Sequence, residues 1–306
     1  MTNNWVQHNG DDALNIHSRW YEVVSIEGNR IQFRSEWLNR VRVPVNVGER
    51  LAFFDTDFSY KGYGTVIEDV LFDAQTETFT VALDEVPSSL AVFDKVHRVD
   101  HASRRFFVSD NTFGQNWARG AMIQASSGIV RTNRIFGNGI GGIVANMDYA
   151  YFKSAGPVVN VVIRNNNLLH SGTSLLSSRT LGVASTSMGS ISLTTYVLPS
   201  DGYYVTFPIH RVVRINDNVV SRAPGIGIQV SSAKDVFVHD NVLEENNLFL
   251  PSRFNTGIET GRPADGSIYI SDSSDVRLYD NEFIDGSRGV VVGLSLIQIS
   301  RCRRSL

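Results

Sequence analysis

The chain has 306 residues, 42% of them hydrophobic and 19% charged, with a formal net charge of −3. These totals fit a folded globular protein rather than a disordered one. They give no overall basic excess of the kind that nucleic acid or an anionic membrane would select. No apolar run reaches the roughly 18 residues that span a bilayer. The opening MTNNWVQHNGDD lacks the basic start and apolar core of a signal peptide. The single cysteine, Cys302, leaves no disulfide framework and no cysteine-based metal site.

The first informative stretch is HNGDDALNIHS, residues 8–18, where Asp11 and Asp12 stand between Gly10 and the alternating ALNIH, with His8 and His17 on either side. The pair reads either as a solvated turn or as two carboxyl groups that do chemistry. In a regular strand one of two neighbouring side chains points inward, where an unpaired charge is very costly. Both face outward only if a turn or bulge breaks the alternation, and Gly10 suits such a break. Crowded carboxyl groups also push their pKa values apart, so that one stays protonated as an acid.

Residues 19–103 change character. YEVVSIEGNRIQFR turns at 27–29 and GTVIEDVLFDAQTETFTVAL turns at 73–75. Short strands at that spacing predict a small antiparallel barrel or sandwich, with the barrel expected here, inserted after the rung at 1–18.

A six-residue pattern then recurs: apolar, any, Asp/Asn/Thr, Asn, any, apolar. It appears as VSDNTF (108–113), VRTNRI (130–135), IRNNNL (163–168), INDNVV (215–220), VHDNVL (238–243) and LYDNEF (278–283). The fixed asparagines are 22, 33, 52, 23 and 40 residues apart, which reads as a unit of about 22 with insertions. Each unit predicts two short strands joined at a polar corner, with apolar residues inward and the residue between them outward. Asparagine tolerates left-handed backbone and bonds to neighbouring backbone, so it suits the corner. Stacked corners let the amides bond to one another in a ladder. Glycine opens the following strand in RGAMIQ, GGIVA, PGIGIQV and RGVVVG. Such a unit buries its apolar face only against copies of itself. The expected fold is an all-β, right-handed parallel β-helix (a pectin-lyase-like solenoid) with one rung at 1–18 and the rest over 104–293. A β-sandwich with repeated asparagine turns is the alternative, and sandwiches do not repeat one corner at a fixed period. Long insertions are expected at 169–210 and 246–267. The stretch 294–306, LSLIQISRCRRSL, carries no rung pattern and resembles the translation of a sequencing-library adapter, so it is expected to be foreign to the native chain; a basic solvated tail is the other reading.

GDDALNIH at 10–17, an inserted barrel, RRFFVSDNTFGQNWARGAMIQ at 104–124 and AGPVVNVVIRNNNL at 155–168 together resemble glycoside hydrolase family 110. The resemblance implies an inverting hydrolase that removes terminal α-linked galactose from glycans, with Asp11 and Asp12 as catalytic carboxyl groups and a third aspartate about one rung earlier, upstream of Met1. Arg119 matches a family arginine and is expected to bind sugar hydroxyls through its fork of donors, or else to form a salt bridge at a rung edge. By residue type and position, Trp117, Tyr149 and Tyr151 are candidates for stacking on a sugar ring or plain packing aromatics, His8 and His17 for binding substrate or tuning the acid pair or else outward strand residues, and Asp148 and Lys153 for further substrate contacts. The resemblance implies a glycan as partner, no cofactor, no metal, and a secreted or periplasmic setting. A uronate lyase and a non-catalytic glycan-binding β-helix are the competing readings, since one scaffold carries many activities.

Overall fold

The computed structural model describes residues 1–35, 44–148, 156–172, 189–196, 207–248, 266–285, 289–292, 295–300 and 303–304. Apart from a 3-10 turn at Val99–His101, the described elements are all strands. They form three parallel sheets and one closed antiparallel barrel. The chain visits the three sheets in rotation. Phe107–Ser109 belongs to sheet III, Thr112–Gly114 to sheet I and Arg119–Gln124 to sheet II; Gly128–Arg131 then returns to sheet III beside Phe107–Ser109. Each strand pairs in parallel with its counterpart one circuit later, a solenoid-like arrangement.

The apolar members of the six-residue pattern, among them Val108, Phe113, Val130, Ile135, Ile163 and Leu168, are buried in one continuous core between the sheets. The corner asparagines form an unbroken ladder. Nδ2 of Asn111, Asn133, Asn166, Asn218 and Asn241 donates to Oδ1 of the next asparagine at 2.9–3.0 Å. The same Oδ1 atoms accept the backbone N–H of the preceding asparagine. A buried corner has no ladder partner for these amides, and an orphaned buried N–H is expensive; the side chain supplies the acceptor. One expectation needs correcting. The left-handed residue is not the asparagine but the one before it: Asp110, Thr132, Asn165, Asp217, Asp240 and Asp280 have φ of 51–57°. That is why the preceding position is confined to Asp, Asn or Thr.

A seventh copy, MTNNWV at 1–6, brings Asn4 onto the end of the ladder, 3.0 Å from Asn111. A second corner lies five residues after the first. There Asn116 donates to Asn138 at 2.9 Å, and Asn9 N–H and Ala223 N–H are capped by Asn116 and Asn246. The residues before it, including His8, Gln115 and Gly137, are again left-handed. Gly120, Gly142 and Gly227 follow this corner at positions where a Cβ would lie within 3 Å of the next circuit's carbonyl oxygen and of an inward Ile or Leu methyl, so only glycine fits. The circuits also run past 294, where the pattern stops: Ser295–Ser300 pairs with Ser273–Tyr279, and Arg303–Arg304 pairs with Glu282–Ile284, placing Arg304 in register with the core residue Phe283.

Trp20–Glu27, Arg30–Ser35, Arg50–Phe54, Tyr60–Asp73, Thr78–Leu83 and Lys95–Arg98 close the barrel. Its core holds Phe33, Phe53, Leu51, Val81 and Leu83. A third cluster seats it on the solenoid, joining Trp20, Ala52, Phe54 and Phe58 of the barrel to Met147 and Ile209. Two buried histidines flank this junction. His210 Nδ1 accepts from Val158 N–H at 3.1 Å, which leaves Nε2–H to donate to Thr194 O at 2.8 Å. His97 meets Ser18 Oγ at 3.2 Å and tilts against Trp20. Burial holds both imidazoles at a pKa of about 4, with the charge of Arg104 adding to the effect at His97 and the Thr194 bond opposing it at His210.

Two outcomes follow from this packing. Asn166→Ala removes an acceptor shared by two buried donors and should cost about 3 kcal/mol, read as a drop in the urea midpoint, whereas Asp217→Asn, at a left-handed position asparagine tolerates, should stay within about 0.5 kcal/mol. Because the folded pKa of His97 and His210 lies below the unfolded value, the unfolded state takes up protons first as pH falls. Stability should be full above pH 6.5 and decline towards pH 4, by on the order of 3 kcal/mol for each histidine; urea unfolding at steps through that interval measures it, and His210→Gln should remove part of the slope.

Candidate active site

The acid pair sits between the second corner and the start of sheet II, at the N-terminal circuit. Asp11 and Asp12 are not equivalent. Asp11 is exposed. Asp12 turns towards the next circuit, where its Oδ1 accepts from Arg119 N–H at 3.0 Å and from Arg119 Nη1 at 3.2 Å; the two side chains are only 6% and 12% exposed. Asn15 Nδ2 approaches the other oxygen at 3.4 Å. The register explains the contact. Asn9 carbonyl accepts from Trp117 N–H and Ala13 N–H donates to Arg119 carbonyl, so Gly10, Asp11 and Asp12 lie beside Trp117, Ala118 and Arg119. Burial raises the Asp12 pKa above the usual carboxylate value; Arg119 pulls it down and the neighbouring Asp11 charge pushes it up, and the balance remains upward.

A groove of about 560 Å³ opens beside the pair. His8, Asn9, Gly10, Gln115, Asn116, Trp117, Gly137 and Gly139 line it. Trp117 is 58% exposed and stands between two glycine positions: Gly10 on one circuit, and Gly139, whose N–H bonds Asn116 carbonyl, on the other. With no side chain on either neighbour, the indole is left open to a ligand. His8 and Trp117 thus line the groove, while Asp11, Asp12 and Arg119 adjoin it through Gly10 and Trp117 without lining it.

No protein-family model matches the chain, and no curated protein matches it. Among solved structures, the chain is similar to a protein from Parabacteroides merdae provisionally named a glycosyl hydrolase, at 12% identity and a TM-score of 0.41 over 67% of this chain and 84% of that one. A likeness that slight transfers neither an activity nor a site.

Two of the other expected site residues lie away from the pair. His17 is exposed at the far end of Leu14–His17, its ring Nδ1 3.2 Å from Ser18 O. Asp148 ends the strand Gly141–Asp148, whose first residue is in register with Arg119. Seven residues of strand put it roughly 23 Å from the acid pair. Tyr149, Tyr151 and Lys153 lie outside the described residues. Among the described residues no three His, Cys, Asp or Glu side chains cluster as metal ligands would. The groove residues Asn9, Gln115, Asn116, Gly137 and Gly139 are absent from the motif reading. Their signal was the second asparagine five places after the corner asparagine, in Asn116 and Asn138.

The Asp12–Arg119 contact has a measurable sign. Arg119→Gln leaves a desolvated carboxylate without its cation and should cost about 2 kcal/mol at neutral pH. The raised pKa means Asp12 favours folding when protonated, so the deficit of the glutamine variant should shrink as pH falls. Asp12→Asn keeps an acceptor for Arg119 N–H and removes the buried charge, and should be at least as stable as the parent at pH 7. Urea unfolding of both variants at two pH values decides this.

Proposed function

We propose that the chain is a glycoside hydrolase on a right-handed parallel β-helix, acting on the terminal α-linked galactose of a glycan seated in the groove. The reading rests on one observation: an exposed indole, Trp117, on the wall of a glycine-bounded groove beside two adjacent carboxyl groups of unlike environment. Sugar rings present an apolar face of C–H groups, and an open indole is the side chain that buries it best. Glycoside hydrolysis needs one protonated carboxyl group and one ionised one. Asp12, desolvated and upshifted, suits the proton donor, and solvent-facing Asp11 suits the carboxylate. Arg119 positions Asp12 and holds its charge in check until the proton is taken up. Inversion requires ~6.5–9.5 Å between the two working carboxyl groups. The galactoside and the inverting outcome rest on the family resemblance carried by residues 10–17, 104–124 and 155–168.

One observation favours a second reading, glycan binding without hydrolysis: the backbone N–H and the Nη1 of Arg119 both donate to Asp12 Oδ1, as a purely structural tie between circuits would have it. The test separates the two. Incubation with an α-1,3-galactosyl oligosaccharide, followed by proton NMR of the released sugar, should show β-galactose first. Asp11→Asn and Asp12→Asn should each lower the rate by about 10²–10⁴ with oligosaccharide binding retained, and Trp117→Ala should weaken that binding. Binding without release, unaltered by either aspartate variant, would establish the second reading instead.

A further inference from the structure

We infer that the outer face of sheet III binds an acidic polysaccharide through a file of arginines, at a site separate from the acid-pair groove. Arg131, ending Gly128–Arg131, is the register partner of Arg164, ending Val159–Arg164. Their side chains therefore leave the same face of the sheet, one strand spacing, about 4.8 Å, apart. Arg214 stands on the next strand, His210–Asn216, opposite Val162, and Arg277 extends the file on Ser273–Tyr279. Like charges placed directly opposite one another destabilise a sheet. Among the described residues no ion pair joins any of the four to a carboxylate. The Nε atoms of Arg131 and Arg164 are buried and have no hydrogen-bond acceptor.

The adjoining corner sharpens the contrast. At three of the four acidic corners the preceding residue is a polar side chain hydrogen-bonded to the carboxylate, Ser109 with Asp110, Asn216 with Asp217 and His239 with Asp240, while Tyr279 precedes Asp280 and stacks on His239. Where the preceding residue is Arg131 or Arg164, the corner residue is Thr132 or Asn165. The positive charge is thus uncompensated on two successive circuits, although the chain as a whole carries −3. Aromatic rings hold the guanidinium groups in place. Arg131 lies 4.9 Å over Phe107, and Arg214 and Arg277 lie 5.8 and 5.3 Å from Phe237. Phe237 is approached by two guanidinium groups, which leaves it little room for the base stacking that single-stranded nucleic acid binding uses, whereas Phe107 stays partly exposed beside Arg131. Fork-shaped cations on three successive circuits, Arg131, Arg164 and Arg214, with Phe237 on the next strand and Arg277 on the one beyond it, fit instead a polymer that carries carboxylates or sulfates along its length.

The site is read by binding alone, so failure of the hydrolase reading leaves it standing and its own failure leaves that reading untouched. Calorimetry at low salt with polygalacturonate, dextran sulfate and neutral dextran should show binding of one or both polyanions and none of neutral dextran; which polyanion binds tells carboxylate from sulfate. Arg131→Gln/Arg164→Gln should weaken polyanion binding roughly tenfold or more. Without ligand this variant should melt at the parent's temperature or above, because a like-charge contact is gone, and the polyanion should raise the melting temperature of the parent only. Arg222→Gln, which removes an exposed arginine paired with Glu245 at another corner, should bind as the parent does. The proposal is overturned if the double variant binds polyanion undiminished, if the parent binds neither polymer, if inorganic sulfate of equal charge concentration competes as well as dextran sulfate, or if single-stranded DNA binds more tightly than both.

Discussion

The constraint on which the rest depends is the buried corner amide. A chain that turns every few residues around a hydrophobic core strands backbone N–H groups where no sheet partner reaches them. In this protein one side chain resolves the problem at every circuit, because a carboxamide both accepts the stranded N–H and donates onward to the next copy. The amide ladder therefore fixes register as well as stability. Any insertion is tolerated so long as the next corner brings an asparagine back to the same column. Spacings from 22 to 52 residues meet that condition without disturbing the stack.

The acid pair takes its character from the same geometry. Residues just after a corner lie beside their equivalents on the next circuit, so Asp12 falls opposite Arg119 by register alone. One aspartate is drawn into the interface between circuits, and its neighbour is turned to solvent. Chemistry that needs two unlike carboxyl groups finds them made unlike by position on the solenoid. Burial and cationic neighbour act on Asp12 in opposite directions, leaving a carboxyl group held by a cation yet reluctant to ionise.

The corner pattern was legible because its physics is local: an asparagine flanked by an αL-tolerant residue and two apolar ones can be recognised in six letters. The barrel turn at Gly28 was legible for a related reason, its positive φ of 62° asking for the residue the sequence has there. The second corner was harder to see, since Ser171 and Ala223 replace asparagine on two circuits and break the repeat. Trp117 and Arg119 were marked by residue type and by resemblance, but the separation of Asp148 and His17 from the pair follows from strand length, which spacing along the chain does not display. The arginine file was invisible to net charge, because Arg131, Arg164 and Arg214 are scattered over more than eighty positions and become neighbours only through stacking.

The barrel interrupts the solenoid between its N-terminal circuit and all those after it, so Asn4 meets Asn111 across 107 residues, where Asn111 meets Asn133 across 22. Closing the longer loop costs roughly 1.4 kcal/mol more in chain entropy, before counting the time the barrel itself needs to form. Contacts that distant are made late in folding. Between corner asparagines the circuits from Phe107 onward join across 22 to 52 residues, whereas residues 1–17 meet their neighbour across 107. The loop that carries both aspartates is thus joined to its neighbouring circuit by contacts 107 residues apart in sequence, and the acid pair is assembled only once that long loop has closed.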